Sequence, residues 1–333
     1  MATVLEKLNG IVLLFLAVGA AAVHIPLVIL ILRSHSARED IISMVMLSLS
    51  ISDLLSSLTL TTLSIVSLIQ PAVIPYPLAF VIGNLAQLLI NVSIWHLAAM
   101  SALKCYIIVR PLTYAAVLTD RLRYVVVAGI WAATVVAVTA ANAAGVRWAL
   151  DPIIHIAQPV GNQTAFRYYQ NFAYDGVSAV IIVVANAKIL LVVRQHHLAI
   201  GALNAAAAAT GSTGNGNHAS WMSSVRSARS LFLMCVAYYA TYVLGTPLFH
   251  AGFVPPVWYY AGVVWLVASA PVVNGLLFVF LYKSTRSDFA QMFCRRCAAV
   301  ATAQSEAVPS SANALTVNPA ARVDPTINDP YPY

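Results

Sequence analysis

Asp53 is an acid in the middle of a long apolar segment, where an ionisable side chain is costly and usually serves a function. The residues just before it include Ser50 and Ser52, whose hydroxyls can form hydrogen bonds. Two interpretations follow from this setting. The carboxylate either belongs to a polar network that links helices, or it is a buried polar group that Ser52 and neighbouring helices satisfy.

Residues able to support catalysis or metal binding are few and scattered. His196 and His197 have no partner cysteines and no spacing typical of a metal site. No glycine-rich phosphate loop and no nucleophile–base pair stands out in the sequence. We therefore expect no metal, no cofactor and no enzymatic activity.

The composition indicates a membrane protein. Hydrophobic residues make up 60% of the 333 residues and charged residues 9%, and the mean hydropathy is +0.82. A soluble domain averages about 25% charged residues. The charges are also segregated, since residues 8–32, 54–103, 124–146 and 230–282 contain none. A helix crosses a bilayer with about 20 apolar residues, so the two longest uncharged runs each provide two helices.

The sequence therefore predicts an all-α membrane protein, a bundle of seven transmembrane helices that we call spans 1 to 7. Continuous helices fit better than a barrel because the runs are apolar throughout. The predicted spans are 10–32, 41–69, 78–108, 122–144, 173–195, 229–252 and 257–282. We also expect an N-terminal tail (1–9), a flexible linker (195–228), an amphipathic surface helix (283–297) and a disordered cytoplasmic tail (298–333).

Lysine and arginine are distributed unequally across the predicted membrane. Of the 18 such residues, Lys7, Arg147 and Arg167 fall on one side, and the other 15 lie in or near the opposite loops and the tail. The positive-inside rule places the basic side in the cytoplasm and the N-terminus outside. The net charge of +7 then indicates topology and attraction to anionic membrane lipids, not nucleic-acid binding. We expect a multi-pass protein of the plasma membrane.

Two kinds of modification fit this topology. Asn162 begins a glycosylation acceptor sequence in a loop predicted to lie outside, whereas a second acceptor at Asn91 lies within span 3 and is not expected to be modified. Cys294 and Cys297 adjoin the basic surface helix, a setting typical of palmitoylation; the alternative is a pair of free buried thiols.

Three landmarks in register point to a known family. Leu49–Leu54 carries Asp53, Cys105 follows 52 residues later within the segment Ser101–Tyr114, and Trp131 stands in span 4. This layout, over residues 10–297, resembles the rhodopsin-like (class A) G-protein-coupled receptors. The resemblance implies a signal-transducing receptor whose partners are an extracellular small-molecule or peptide ligand and a heterotrimeric G protein or arrestin.

The resemblance also implies which residues form the signalling switch. They are Asp53, Lys104, Cys105, Tyr106, Asn274 and Phe278. In the family, the counterpart of Asp53 joins a polar network that can hold sodium. Sodium binding is thus an alternative to a purely structural network, although Ile94 and Ala270 stand where the family often has hydroxyl or amide ligands.

Several positions depart from the family pattern. Lys104 and Cys105 replace the usual acid and arginine at the end of helix 3, so we expect weak or unusual G-protein coupling. Gly275 and Phe278 replace a proline and a tyrosine in span 7, and His24 stands where an asparagine is expected. No cysteine lies on the outer side: Phe80 occupies the position of the helix-3 cysteine, so we expect no extracellular disulfide.

In this family the ligand lies among the outer halves of helices 3, 5, 6 and 7. The corresponding candidates are Gln87, Asn91, Tyr238, Tyr239, Tyr242, Tyr259, Tyr260 and Trp265. Gln87 stands where amine receptors carry an aspartate, so a neutral small molecule or a short peptide is favoured over a cationic amine. Tyrosine and tryptophan near helix ends are also typical of membrane-interface belts.

Two alternatives to a conventional receptor remain. One is an atypical seven-helix receptor that scavenges ligand or acts with a partner receptor. The other is a small membrane transporter, for which the sequence shows neither the broken helices nor the inverted repeats of such proteins.

Overall fold

The computed structural model describes residues 2–34, 40–69, 76–110, 113–117, 119–150, 157–210, 232–233, 235–236, 240 and 257–281. These residues all belong to one compact unit, residues 1–289. The predicted surface helix and tail, with Cys294 and Cys297, lie outside the described residues. So does most of span 6, including Tyr238, Tyr239 and Tyr242.

The long uncharged runs form helices, as the apolar composition predicts. Their bounds are Ala2–Arg33 for span 1, Ile41–Ile69 for span 2, Tyr76–Val109 for span 3 and Asp120–Ala143 for span 4. Span 5 consists of a π-helical segment, Tyr168–Gly176, followed by an α-helix, Val177–Thr210. Span 7 consists of Val257–Ala268 and Ala270–Leu281, and short helices occupy Tyr114–Val117 and Gln163–Arg167.

Within the described part of the chain, six helices are long and apolar enough to cross a bilayer. They correspond to spans 1 to 5 and span 7. The chain is therefore a multi-pass membrane protein.

Span 7 is interrupted at Ser269, two residues before Pro271. Proline cannot donate to the carbonyl four residues earlier, and its ring crowds that carbonyl, so a helix bends or breaks there. The Ser269 hydroxyl donates to the carbonyl of Leu266 at 2.6 Å, which closes the last turn of the first half. Just after this break, the carbonyl oxygen of Pro271 lies 2.8 Å from Nε2 of His24 in span 1.

Span 5 is longer than the sequence suggested. The predicted flexible linker begins at residue 195, yet the helix continues to Thr210 because the alanine-rich segment after Ala202 favours helix strongly. At its other end, the span begins in the π-helical segment at Tyr168, whose polar residues resemble a loop in composition.

The connection between spans 4 and 5 contains a β-hairpin that the sequence analysis did not foresee. Strand β1 (Val146–Leu150) pairs antiparallel with β2 (Ala157–Gly161), and Val146 lies opposite Gly161. Gly145 and Gly161 both have positive φ angles, +91° and +83°, which favour glycine. A Cβ atom on Gly161 would also lie 2.5 Å from the carbonyl oxygen of Gly145.

The hairpin packs on one end of the bundle, which we call the hairpin end. Trp148 of β1 is buried and meets Phe166 edge-on, with ring centroids 5.8 Å apart. Both belong to an apolar cluster with Val146 and Ala141, against which Phe80 of span 3 packs. The main apolar core lies deeper, where Leu27, Val45, Leu49, Leu97, Met100 and Phe278 are buried.

Candidate functional site

The Asp53 carboxylate is buried at the centre of the bundle, where spans 1, 2, 3 and 7 meet. Its Oδ1 accepts a hydrogen bond from the Ser93 hydroxyl at 3.0 Å. Its Oδ2 lies 3.4 Å from the Asn274 amide nitrogen, which donates to it, and 3.4 Å from Nε2 of His24. All four residues are nearly or fully excluded from solvent. Asp53 thus links four helices that are remote from one another in the sequence.

Ser52 takes part in this network indirectly. Its hydroxyl donates to the Leu49 carbonyl at 2.8 Å and lies 3.1 Å from the Ser93 hydroxyl, which in turn donates to Asp53. The groups next to the carboxylate itself therefore come from other helices.

His24 connects the network to the break in span 7. Its Nε2 lies 2.8 Å from the carbonyl oxygen of Pro271 and 3.4 Å from Oδ2 of Asp53. Both neighbours accept hydrogen bonds, so Nε2 carries the proton that it shares with them. Among the described residues, the other ring nitrogen, Nδ1, has no hydrogen-bond partner, and neither has Oδ1 of Asn274.

Gly275 is required by this arrangement. A Cβ atom at residue 275 would lie 2.9 Å from Nε2 of His24 and 2.7 Å from a methyl carbon of Val23. A side chain at residue 275, including the proline that the resemblance suggested, would require Val23 and His24 or the helices that carry them to shift. The histidine in span 1 and the glycine in span 7 therefore fit each other.

A second polar group lies at the hairpin end. The Gln87 amide nitrogen donates to Oδ1 of Asn91 at 3.0 Å and also to Oε1 of Gln170 in span 5. The Asn91 amide nitrogen donates to the Tyr169 hydroxyl at 3.2 Å. We call Gln87, Asn91, Tyr169 and Gln170 the amide cluster. It joins span 3 to the π-helical segment, and three of its members are buried.

The surroundings of the amide cluster are aromatic, with one acid. The Tyr169 ring lies 4.9 Å from that of Tyr174, which in turn meets Trp95 edge-on at 6.3 Å. The amide nitrogen of Gln170 donates to Oδ1 of Asp175 at 3.2 Å. An acid therefore lies one hydrogen bond away from the cluster.

A small cavity lies between the amide cluster and the hairpin. Its volume is about 10 Å³, enough for about one water molecule. It is lined in part by Asn84, Gln87, Val146, Trp148, Phe166 and Tyr169. A ligand larger than a water molecule could enter this cavity only by displacing the hairpin or the side chains that line it.

Of the remaining predicted ligand residues, those described lie away from the amide cluster. The Trp265 ring nitrogen donates to Oδ1 of Asn9 at 2.8 Å, so this side chain faces span 1. Tyr259 is half-buried, and its ring packs edge-on against Trp258 at 6.1 Å. The side chain of Tyr260 lies outside the described residues. Gln87 and Asn91 are thus the two predicted ligand residues that the structure brings together.

The predicted switch residues occupy both the core and the end opposite the hairpin. Phe278 is fully buried in the apolar core. Lys104, Cys105 and Tyr106 are half-buried at the end of span 3. Lys104 interacts electrostatically with Asp40, and Cys105 with Lys188 of span 5. Where the resemblance implies an acid and an arginine, this chain therefore has a lysine, which is attracted electrostatically to an acid before span 2, and a cysteine.

Asp40 directly precedes span 2 and caps its first turn. Its Oδ2 accepts hydrogen bonds from the Ser43 backbone nitrogen at 2.9 Å and from the Ser43 hydroxyl at 2.8 Å. An acid at this position satisfies free backbone donors of a helix and favours its positive end. The carboxylate that attracts Lys104 is thus held in place by Ser43.

Two further residues that the sequence singled out, Trp131 and Asn162, form side-chain hydrogen bonds in the structure. Trp131 of span 4 donates from its ring nitrogen to the Ser48 hydroxyl at 2.9 Å, and His96 contacts the same hydroxyl at 2.8 Å. Asn162 is exposed and follows β2; its amide nitrogen donates to the Ala144 carbonyl at 3.0 Å. The side-chain Oδ1 of Asn162 accepts a hydrogen bond from the backbone nitrogen of Ala165 at 3.0 Å.

Sequence reasoning missed three participants. His24 stands out in the sequence as a departure from the family and not as a neighbour of Asp53. Tyr169 and Gln170 have the composition of a loop, although polar residues next to a predicted span were a usable signal. Among the described residues, no group of three or more His, Cys, Asp or Glu side chains could hold a metal ion.

The helix order, the buried carboxylate network and the hairpin over one end define the rhodopsin-like seven-helix fold. Among solved structures, the crystal structure of squid rhodopsin superimposes on this chain with a TM-score of 0.72. The match covers 87% of this chain and 86% of the rhodopsin chain, at 15% sequence identity. No protein-family model and no curated protein sequence matches the chain. At this identity the similarity establishes the fold, and it confirms the fold that the resemblance predicted.

Proposed function

We propose that this protein is a receptor of the plasma membrane, with its N-terminus and hairpin end outside the cell. The ligand is a neutral small molecule or a short peptide that binds at the hairpin end. The observation that carries this proposal is the amide cluster, a buried set of uncharged donors and acceptors beneath the hairpin. Buried amides of this kind recognise uncharged polar groups with matching hydrogen bonds.

The hydrogen bonds within the amide cluster affect how a ligand would bind. Gln87, Asn91 and Gln170 satisfy one another, so a ligand has to replace these hydrogen bonds with its own. A ligand that leaves them unpaired loses affinity, because an unpaired buried polar group is costly. The cluster thus favours ligands that carry both a donor and an acceptor, such as an amide.

We further propose that the receptor couples weakly to G proteins. Cys105 is short and uncharged as a thiol, and cannot present the fork of donors that an arginine presents. Lys104 is attracted electrostatically to Asp40, which directly precedes span 2. Action through arrestin, ligand scavenging or a partner receptor is compatible with such an end surface. Enzymatic activity forms no part of this proposal.

A ligand screen on the purified full-length chain, read out by direct binding, tests the proposed site. A Gln87→Leu, Asn91→Leu double variant should lose binding of any ligand found. Asn186→Leu is the matched control, since Asn186 is a buried amide of span 5 that donates to the Ile182 carbonyl, outside the cluster. It should bind normally.

A substitution of Asp175 distinguishes a cationic ligand from a neutral one. If a cationic amine binds saturably, survives the change of Gln87 and Asn91, and is lost on Asp175→Asn, the neutral-ligand proposal is wrong. If the double variant and the Asn186 control bind equally, the amide cluster is not the ligand site.

A further inference from the structure

The amide side chains of Asn84 and Asn142 join span 3 to span 4 beneath the hairpin. Nδ2 of Asn84 donates to the Phe80 carbonyl at 2.8 Å. Because a carbonyl only accepts, this bond assigns the nitrogen of Asn84 to Phe80 and leaves its Oδ1 for span 4, where Nδ2 of Asn142 donates to it at 2.6 Å. The Phe80 carbonyl thereby fixes the orientation of both amides, and Oδ1 of Asn142 takes no part in the pair.

Oδ1 of Asn142 is a buried acceptor without a hydrogen-bond partner among the described residues. An unpaired buried acceptor is costly, and folded proteins usually satisfy it with a protein group or an ordered water. Asn142 also lines the cavity of about 10 Å³ between the hairpin and the amide cluster, which has room for about one water molecule. The acceptor and the space beside it therefore form one feature.

The described lining of the cavity indicates what could bind there. None of these side chains carries a charge, so an ion would lack a balancing partner. A buried water needs about two to four polar partners, and Asn84, Gln87 and Tyr169 line the cavity together with Asn142. The cavity thus fits one small uncharged group that donates to Asn142 and reaches a second polar neighbour.

We propose that this cavity is a binding site for one hydrogen-bond donor: a water molecule occupies it in the free chain, and an O–H or N–H group of the ligand replaces that water. The second half of the proposal rests on the proposed receptor function. A ligand group that displaces an ordered water without reproducing its hydrogen bonds loses affinity. A ligand that offers only acceptors would leave Oδ1 of Asn142 unpaired, so Asn142 selects for ligands with a donor.

Hydroxyl-radical labelling of the full-length chain in lipid nanodiscs tests for the water. X-rays generate radicals from bound water as well as from bulk water, and these radicals modify adjacent aromatic side chains. We expect labelling of Trp148 and Phe166, which are buried and line the cavity, but not of Phe278, which is fully buried in the apolar core.

Val138→Ile adds one methyl group to the cavity wall and changes no amide, so it should expel the water and abolish this labelling. Val136→Ile is the matched control, because residue 136 lies on the same span and is 68% exposed; it should keep the native labelling. Labelling of Trp148 and Phe166 no stronger than that of Phe278 would mean a dry cavity and overturn the proposal. Undiminished labelling in Val138→Ile would also overturn it, since the radicals would then come from bulk solvent.

Two small amides test the replacement of the water by a ligand group. N-methylacetamide has one N–H donor and N,N-dimethylacetamide has none. Binding to the same nanodiscs is followed by saturation-transfer NMR, and we expect only N-methylacetamide to bind. Equal binding of the two amides, or binding of neither, would overturn the ligand half of the proposal.

Variants distinguish this proposal from the proposed receptor function. Val138→Ile should abolish the binding of N-methylacetamide. Asn91→Leu alters the amide cluster, and Asn91 is not among the described residues that line the cavity. Loss of binding in Asn91→Leu but not in Val138→Ile would overturn the site at Asn142 and leave the amide cluster as the ligand site. Loss in Val138→Ile but not in Asn91→Leu would support the site at Asn142 and contradict the amide cluster.

Discussion

His24 of span 1 and Gly275 of span 7 fit each other at the centre of the bundle. The absence of a side chain at residue 275 leaves the space in which the imidazole reaches Asp53 and the Pro271 carbonyl, since a Cβ atom there would lie 2.9 Å from Nε2. Two departures from the family pattern, a histidine for an asparagine and a glycine for a proline, are therefore one structural feature.

Gly275→Ala should destabilise the protein by about 1–3 kcal/mol, because an added methyl group overpacks a site that His24 and Val23 already fill. The measurement is the half-unfolding temperature of the full-length chain. Gly262→Ala is the matched control: this glycine lies in the same span, and an added methyl group would meet nothing within 4 Å, so the change should be neutral or stabilising. Equal effects of the two substitutions would contradict the fit between spans 1 and 7.

The same contact predicts a coupling between the two positions. His24→Asn shortens the side chain and should reduce the cost of Gly275→Ala in a double variant. The remaining cost reflects Val23, whose methyl carbon would still lie 2.7 Å from the added atom. A double-mutant cycle measures the coupling free energy, and strict additivity would show that the two residues do not interact.

The hairpin depends on a second close approach, between Trp148 and Gly83 of span 3. A Cβ atom on Gly83 would lie 2.6 Å from the indole ring. Gly83→Ala should therefore lift β1 from span 3 and speed backbone hydrogen exchange in both strands. Gly129→Ala, in an open part of span 4, should leave this exchange unchanged. Unaltered protection in Gly83→Ala would mean that Trp148 does not hold the hairpin.

This packing stands where the resemblance would place a disulfide. Phe80, at the position of the helix-3 cysteine, packs against the cluster of Trp148 and Phe166. An apolar contact thus takes over the attachment of the hairpin to span 3. Unlike a disulfide, this contact can open without breaking a covalent bond, which is compatible with the ligand site that we propose beneath the hairpin.

Glycosylation at Asn162 tests the predicted orientation. We expect a glycan in cells, visible as a mass shift that an amidase removes, and both Asn162→Gln and Thr164→Ala should abolish it. Thr164→Ala leaves the hydrogen bonds of Asn162 to Ala144 and Ala165 in place, so it separates the glycan from the local structure. A chain that carries no glycan while residues at its opposite end are accessible from outside would reverse the assigned topology.

The sequence predicted the six spans that the structure describes because a bilayer sets their length and excludes charge, and these are properties of single segments. It predicted Asp53 as a network residue for the same reason. The contact of His24 with Asp53 and Gly275 could not be predicted, because it depends on how three remote helices are rotated against one another. The hairpin was missed because its strands, Val146–Leu150 and Ala157–Gly161, are short and only weakly alternating.

The sequence could likewise predict only part of the amide cluster. Gln87 and Asn91 are four residues apart on one helix face, so their proximity follows from the sequence. Gln170 and Tyr169 join them because the π-helical segment extends span 5 toward span 3. The polar residues of this segment are typical of a loop, but its tertiary packing makes it helical.

The proposed weak coupling to G proteins is tested most directly by second-messenger levels in cells. One set of cells expresses the native chain and the other a Lys104→Asp, Cys105→Arg double variant, at equal surface density. The chain has the rhodopsin-like fold, but the end of span 3 lacks the arginine that the resemblance implies for G-protein contact. We predict that the double variant signals more strongly than the native chain. Equal signalling by the two chains would contradict it.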